Sequence, residues 1–136
     1  MTPVERVKRI LEPMERFKSQ PKGNLPGYVS QIRLGPGEVI LGVYENNLGS
    51  PKECIVVTNS ALHLEASGHW REVAYSDILA TECPSPQDAR VNASIALKTD
   101  DGIVDLPIIG TRGQFFDLFE FYRYVMRVAA DQGKSA

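Results

Sequence analysis

Residues 111–131 limit the fold more than any other part of the chain. Thr111-Arg112-Gly113-Gln114 opens a segment in which Phe115, Leu118, Phe119, Tyr122, Val125, Met126 and Ala129 recur at three- and four-residue steps. That spacing is the stripe of an amphipathic helix. Thr111 is placed to cap its first turn, with Gln114 reaching back as in a capping box. From about Tyr28 to Ile109 the pattern is different: short β-branched runs separated by Gly, Pro, Asn and Asp turns. Short strands followed by one aromatic-rich helix predict a mainly β domain, a small antiparallel barrel closed by a helix from about Gly113 to Asp131. The stripe, Phe119 included, is expected to face the sheet. Phe116 and Phe121 fall off it, and either extend the buried face or form an exposed patch for a partner.

The strands are read from alternation and turn chemistry. Tyr28–Leu34 and Val39–Tyr44 flank the Gly35-Pro36-Gly37 turn. Cys54–Thr58 and Ala61–Glu65 meet at Asn59-Ser60, and Ser67-Gly68 turns the chain into Trp70–Tyr75. Ile78–Cys83 continues the sheet, and Pro84–Arg90 is a polar loop. Val91–Thr99 and Ile103–Ile109 flank Asp100-Asp101-Gly102, whose Asp-Gly step is the strongest hairpin signal in the chain.

The first 22 residues read as a separate amphipathic element, with residues 23–136 forming one domain. Thr2 is a plausible N-cap, Pro3 suits the first helical position and Glu5 completes a capping box. Val4, Val7, Leu11, Met14 and Phe17 form one apolar face of a helix expected over residues 2–19. Pro13 lies inside it and predicts a kink or break near Glu12. Ser19 to Gly27 holds two prolines and two glycines and reads as a linker, leaving the helix semi-detached. Between Met1 and Lys22 there are six bases and three acids, in a chain of net charge −2. Such a helix packs on its own barrel, associates with a second copy in a two-fold dimer, or lies on an anionic surface. Three interspersed glutamates make the membrane the weakest of these. Val7, Leu11, Met14 and Phe17, with Phe116 and Phe121, are the candidate partner-binding residues.

Composition narrows the function classes. The slightly acidic balance argues against a general nucleic-acid binder. Cys54 and Cys83 are the only cysteines, and no apolar signal core or membrane-length run is present. A reduced, cytoplasmic protein is expected. Cys54, His63, His69 and Cys83 are the right ligand types for zinc but lack the close pairs that mark such sites, so no metal or cofactor is expected. Asp100-Asp101 occupies a turn that favours Asp for backbone reasons. No nucleophile elbow or phosphate loop occurs, and catalysis is not expected.

The order of residues also carries a resemblance. Glu38-Val39-Ile40-Leu41-Gly42-Val43-Tyr44-Glu45-Asn46, Ile55-Val56-Val57-Thr58-Asn59-Ser60-Ala61-Leu62-His63-Leu64, Trp70 and Tyr75-Ser76-Asp77-Ile78 together resemble bacterial pleckstrin-homology-like and GRAM-like domains. The similarity covers roughly residues 28–131. It implies a curved antiparallel barrel of about seven strands closed by the C-terminal helix. It also implies a non-catalytic module that binds a protein or ligand. Phosphoinositide-binding members concentrate Lys and Arg around the first hairpin loop, where this chain has only Arg33 beside Gly35-Pro36-Gly37-Glu38. Lipid recognition at that loop is therefore not expected. The alternatives are a peripheral membrane adaptor using the basic N-terminal helix, and a small enzyme with a site that no motif reveals.

Overall fold

The chain begins as expected and then departs from expectation. In the computed structural model, which describes residues 1–19, 25–110 and 114–135, helix α1 spans Pro3–Arg6. The Thr2 hydroxyl accepts from the Glu5 amide at 3.3 Å, and the Glu5 carboxylate accepts from the Thr2 amide at 3.2 Å. The helix widens into one π turn over Val7–Leu11 and stops before Pro13, where the missing amide was expected to break it. Phe17–Ser19 is not helical. It is strand β1, paired antiparallel with β2 (Ile40–Tyr44), Phe17 opposite Tyr44. Gly42 makes this pairing possible, because a Cβ there would collide with the Phe17 ring and lie 2.8 Å from the Lys18 carbonyl oxygen.

β2 continues through β3 (Ile55–Thr58), β4 (Ala61–Ala66) and β5 (His69–Ala74) as an antiparallel meander, giving a five-stranded sheet in the order β1-β2-β3-β4-β5. β4 and β5 meet in the expected two-residue turn, with Ser67 and Gly68 both at positive φ as a type I′ hairpin requires. β3 is buried on both faces. Ile55 and Val57 point into the main core, while Val56 joins Cys54, Val43 and Ile32 in a second cluster. A strand covered on both sides reads as an unbroken apolar run, and Cys54-Ile55-Val56-Val57 is one. Leu25, Tyr28 and Val29 supply the second cover. Tyr28–Leu34 was expected as a strand; it holds instead a 3₁₀ turn over Gly27–Gln31.

The second sheet holds β6 (Ala80–Glu82), β7 (Ser94–Thr99) and β8 (Gly102–Pro107), also antiparallel. The Asp100-Asp101 hairpin lies where its sequence placed it. The polar loop before β7 contains a four-residue helix α2, Pro86–Ala89, capped by Ser85. The described strands number eight rather than seven, and they do not close: the molecule is mainly β, two antiparallel sheets and a C-terminal helix, not a sealed barrel. Among the described residues no helix is long and apolar enough to cross a membrane.

Helix α3, Gln114–Ser135, packs on the π turn, the Tyr75–Asp77 turn, β6 and β7. Its expected cap at Thr111 lies outside the described residues. Its buried face is shifted from the expected stripe, of which Leu118 and Val125 are buried and Phe115, Tyr122 and Ala129 pack against the core. Leu118, Phe121, Tyr124, Val125 and Val128 are fully buried, whereas Phe119 is 45% exposed and Phe116 60%. Buried hydrogen bonds set this rotation. Tyr44 donates to Asp117 at 2.8 Å and accepts from the Gly110 amide at 3.0 Å. The Tyr75 and Tyr124 hydroxyls meet at 2.7 Å, and Tyr75 also reaches the Thr58 carbonyl at 2.7 Å. These partners let a carboxylate and three tyrosines face the core, where an unpaired polar group would be costly.

Candidate functional site

A large opening lies where the two sheets fail to join. β5 ends the first sheet and β8 ends the second, and each has hydrogen-bonded strand neighbours on one side only. Between them runs a cleft of about 620 Å³ with an apolar floor of Leu64, Ile103, Val104 and Pro107 and a charged rim of Lys52, Glu53, Arg71 and Asp105. Ile103 is 61% exposed and leaves apolar surface open to the cleft. Beyond Arg71 and Val104 the cleft continues into a notch of about 260 Å³ that adds Glu72, Asp77, Asp100 and Asp101. The lining places Pro107 at the Glu53 end and Val73 at the Asp101 end, so β5 and β8 run past each other in opposite directions.

The Glu53 end is fixed by an unusual concentration of side-chain bonds. The Asn46 amide donates to the Glu53 carbonyl at 2.7 Å and to the Pro107 carbonyl at 2.6 Å, and its oxygen accepts from the Ile109 amide at 2.8 Å. One buried side chain thus spans both sheets. Glu45 beside it accepts from the Tyr28 hydroxyl at 2.6 Å. Glu65 accepts from the amides of Glu53 and Gly68, each at 2.8 Å, which holds the rim in shape. Glu53 itself sits at φ 58°, a left-handed conformation that a non-glycine residue adopts at a cost and that is common at functional loops.

The candidate residues read from the sequence are dispersed. Val7, Leu11, Met14, Phe17 and Phe121 are all buried in one core with residues of both sheets. They cannot form a partner surface in this state, because the apolar face of α1 and the π turn is spent on the chain's own body. The N-terminal segment is accordingly part of the fold rather than a semi-detached helix. Phe116 alone of the six is exposed. It lies beside an aromatic ladder on α3, where Phe115 stacks on Phe119 at 5.9 Å and Phe119 meets Tyr122 at 6.2 Å, with Phe115 and Tyr122 packed against the core.

The acid–base chemistry is sealed inside. His63 Nε2 lies 2.7 Å from Glu38 Oε2, and both side chains are almost wholly buried. The same carboxylate accepts from the Thr58 hydroxyl at 2.6 Å and the Gly35 amide at 2.8 Å. Burial raises the Glu38 pKa, but the hydroxyl, the amide and His63 outweigh it and leave the group below its ordinary value. Asn59 bonds back to Val39 and Gly37, so the Thr58-Asn59 step ties the loop before β2 to the sheet. Glu38 therefore points inward, away from the loop surface where Arg33 is exposed. Cys54 and Cys83 are free thiols, and burial pushes the Cys54 thiol up to about 12, unsuited to a nucleophile. Among the described residues no cluster of three or more His, Cys, Asp or Glu is arranged to hold a metal ion.

No signal in the sequence marks the cleft. Its residues come from the loop before β3, the β4–β5 hairpin and β8, and each reads locally as ordinary strand or turn. Only the juxtaposition of Ile103 and Leu64 across two sheets makes a site of them. No family model, curated protein or solved structure matches the chain.

Proposed function

We propose that this chain is a non-catalytic interaction module, pleckstrin-homology-like in its plan, that captures an extended segment of a partner protein in the cleft between β5 and β8. The observation that carries this reading is the pair of facing strand edges, each with one side unpaired, over an apolar floor. An extended peptide satisfies outward backbone groups by adding a strand, and the pockets between alternate side chains give selectivity. Because β5 and β8 are antiparallel to each other, the inserted strand is parallel to one and antiparallel to the other. The occupant's chemistry follows from the lining. An apolar side chain rests on Leu64, Ile103 and Pro107, and a Lys or Arg further along meets the Glu72, Asp77, Asp100 and Asp101 carboxylates.

The burial of Val7, Leu11, Met14 and Phe17 weighs against membrane docking through the N-terminal segment. The enclosure of Glu38 and His63 weighs against their use on a substrate. Two free thiols fit the reducing cytoplasm. Selection from a displayed library of random eight-residue peptides tests the reading. The expected winners carry an aliphatic residue and a base in extended spacing, and bind an Ile103→Glu variant at least tenfold more weakly. Peptides that bind this variant equally well, or a selection that yields none, refute it.

A further inference from the structure

Four arginines gather away from the cleft. Arg6 on α1, Arg9 on the π turn, and Arg123 and Arg127 on α3 line a pocket of about 160 Å³ with Ile10 at its base. Arginines repel one another unless anions separate them, so the local carboxylates decide what the pocket is for. Arg6 is committed: its Nε and a terminal nitrogen bind the two Asp131 oxygens at 3.1 and 3.2 Å, clamping α1 to α3. Arg123 is half committed. Its Nε lies 2.9 Å from Glu120 Oε2, but the N–H does not point at that oxygen, and this buried donor has no hydrogen-bond acceptor. We take the contact as an ion pair without a hydrogen bond, since distance alone defines the first and direction the second. Arg9 and Arg127 make no hydrogen bond or ion pair within 4 Å among the described residues. The Glu5 carboxylate feels Arg9 from one helical turn away.

Four cations therefore face Asp131, Glu120 and the more distant Glu5, with a buried N–H and two guanidinium groups unspent. We propose that this pocket is an oxyanion site that binds a phosphate group, as a phosphate ester or a short polyphosphate. Arginine forks match phosphate oxygens two at a time, and several arginines around one pocket suit a multiply charged tetrahedral anion better than a carboxylate. At ~30 Å³ per water the pocket holds about five waters, which is room for such a group. The site joins the N-terminal segment to α3 and does not involve the β5–β8 cleft. The phosphate is borne either by a soluble ester or by a lipid headgroup.

The full chain is titrated calorimetrically with pyrophosphate at constant ionic strength, and separately sedimented with phosphatidylcholine vesicles with and without phosphatidic acid. Arg9→Gln/Arg127→Gln is the test variant, because both side chains are exposed and neither belongs to the Arg6–Asp131 clamp. Pyrophosphate is expected to bind, to raise the melting temperature of the wild-type chain, and to bind the double variant at least tenfold more weakly. The unliganded melting temperature of that variant should match wild type. Binding of pyrophosphate assigns a soluble ester. Retention only on phosphatidic acid vesicles, lost in the double variant, assigns a lipid headgroup. Absence of binding in both arms, or binding that ignores the double substitution, overturns the proposal.

Discussion

The two margins of the five-stranded sheet are finished in opposite ways. Beside β2, the N-terminal segment turns back after Pro13 and lays down β1, three residues long, with Phe17 filling the space left by Gly42. The Arg16 guanidinium then bonds the Glu45 and Asn46 carbonyls at 3.3 and 3.0 Å. At the other margin β5 runs six residues, of which His69, Arg71 and Glu72 are exposed, and nothing in the described chain pairs with its outer side. Charges on an edge are a common defence against unwanted pairing. An edge that is only defended does not need an apolar floor beside it, however, and Leu64, Ile103 and Pro107 provide one. The protein spends sequence on sealing one margin and leaves the other open over a groove.

The sharpest way to break this contrast is at the sealed margin. Phe17→Ala should lower stability by about 3–5 kcal/mol, as expected when a buried aromatic side chain leaves a cavity; equilibrium urea unfolding measures it. A loss below about 1 kcal/mol would mean that β1 is not a true closure. A smaller effect comes from pH. Glu38 titrates below its ordinary value of 4.5 in the folded chain, so its ionised form favours folding. That contribution is complete above 4.5 and is lost as pH falls through the lower folded value. Stability should therefore decline in acid below 4.5, and Glu38→Gln should flatten this part of the profile; an unchanged acid limb would assign the decline to other carboxylates. The smallest effect is expected at the open margin. Ile103→Glu should change stability by no more than about 0.5 kcal/mol by the same unfolding measurement, as for a surface position without structural partners. A large loss would show that the groove floor belongs to the core.

Much of the sheet was legible because turn residues mark it: Asn59-Ser60, Ser67-Gly68 and Asp100-Asp101-Gly102 each reverse the chain where expected. The errors have physical causes. Phe17 continues the three-residue spacing from Met14, so periodicity keeps it in a helix that Pro13 had already ended. Tyr28–Leu34 alternates like a strand, yet its apolar side chains lie as a lid on the outer face of the sheet. On α3 the residues form two apolar faces a quarter-turn apart, one through Phe115, Phe119 and Tyr122, the other through Leu118, Phe121 and Val125. The stripe read from spacing takes in members of both and leaves out Phe121. The deciding contacts are Asp117 with Tyr44 and Tyr124 with Tyr75, hydrogen bonds across 73 and 49 residues that no local window contains. The candidate site was hidden for the same reason, since its parts come together only through the pairing of distant strands.

Asn46 gives the cleft a mechanical character. Its amide pins the Glu53 loop of one sheet to the Pro107 end of the other, while at the far end the chain itself links the sheets, from β5 through the Tyr75–Asp77 turn to the Leu79 amide, which donates to the Lys98 carbonyl at 2.7 Å. The two ends of the cleft are thus tied in different ways, one by the hydrogen bonds of a single side chain and the other by the main chain. In the proposed complex the apolar residue of a guest strand would lie towards the first and its base towards the second.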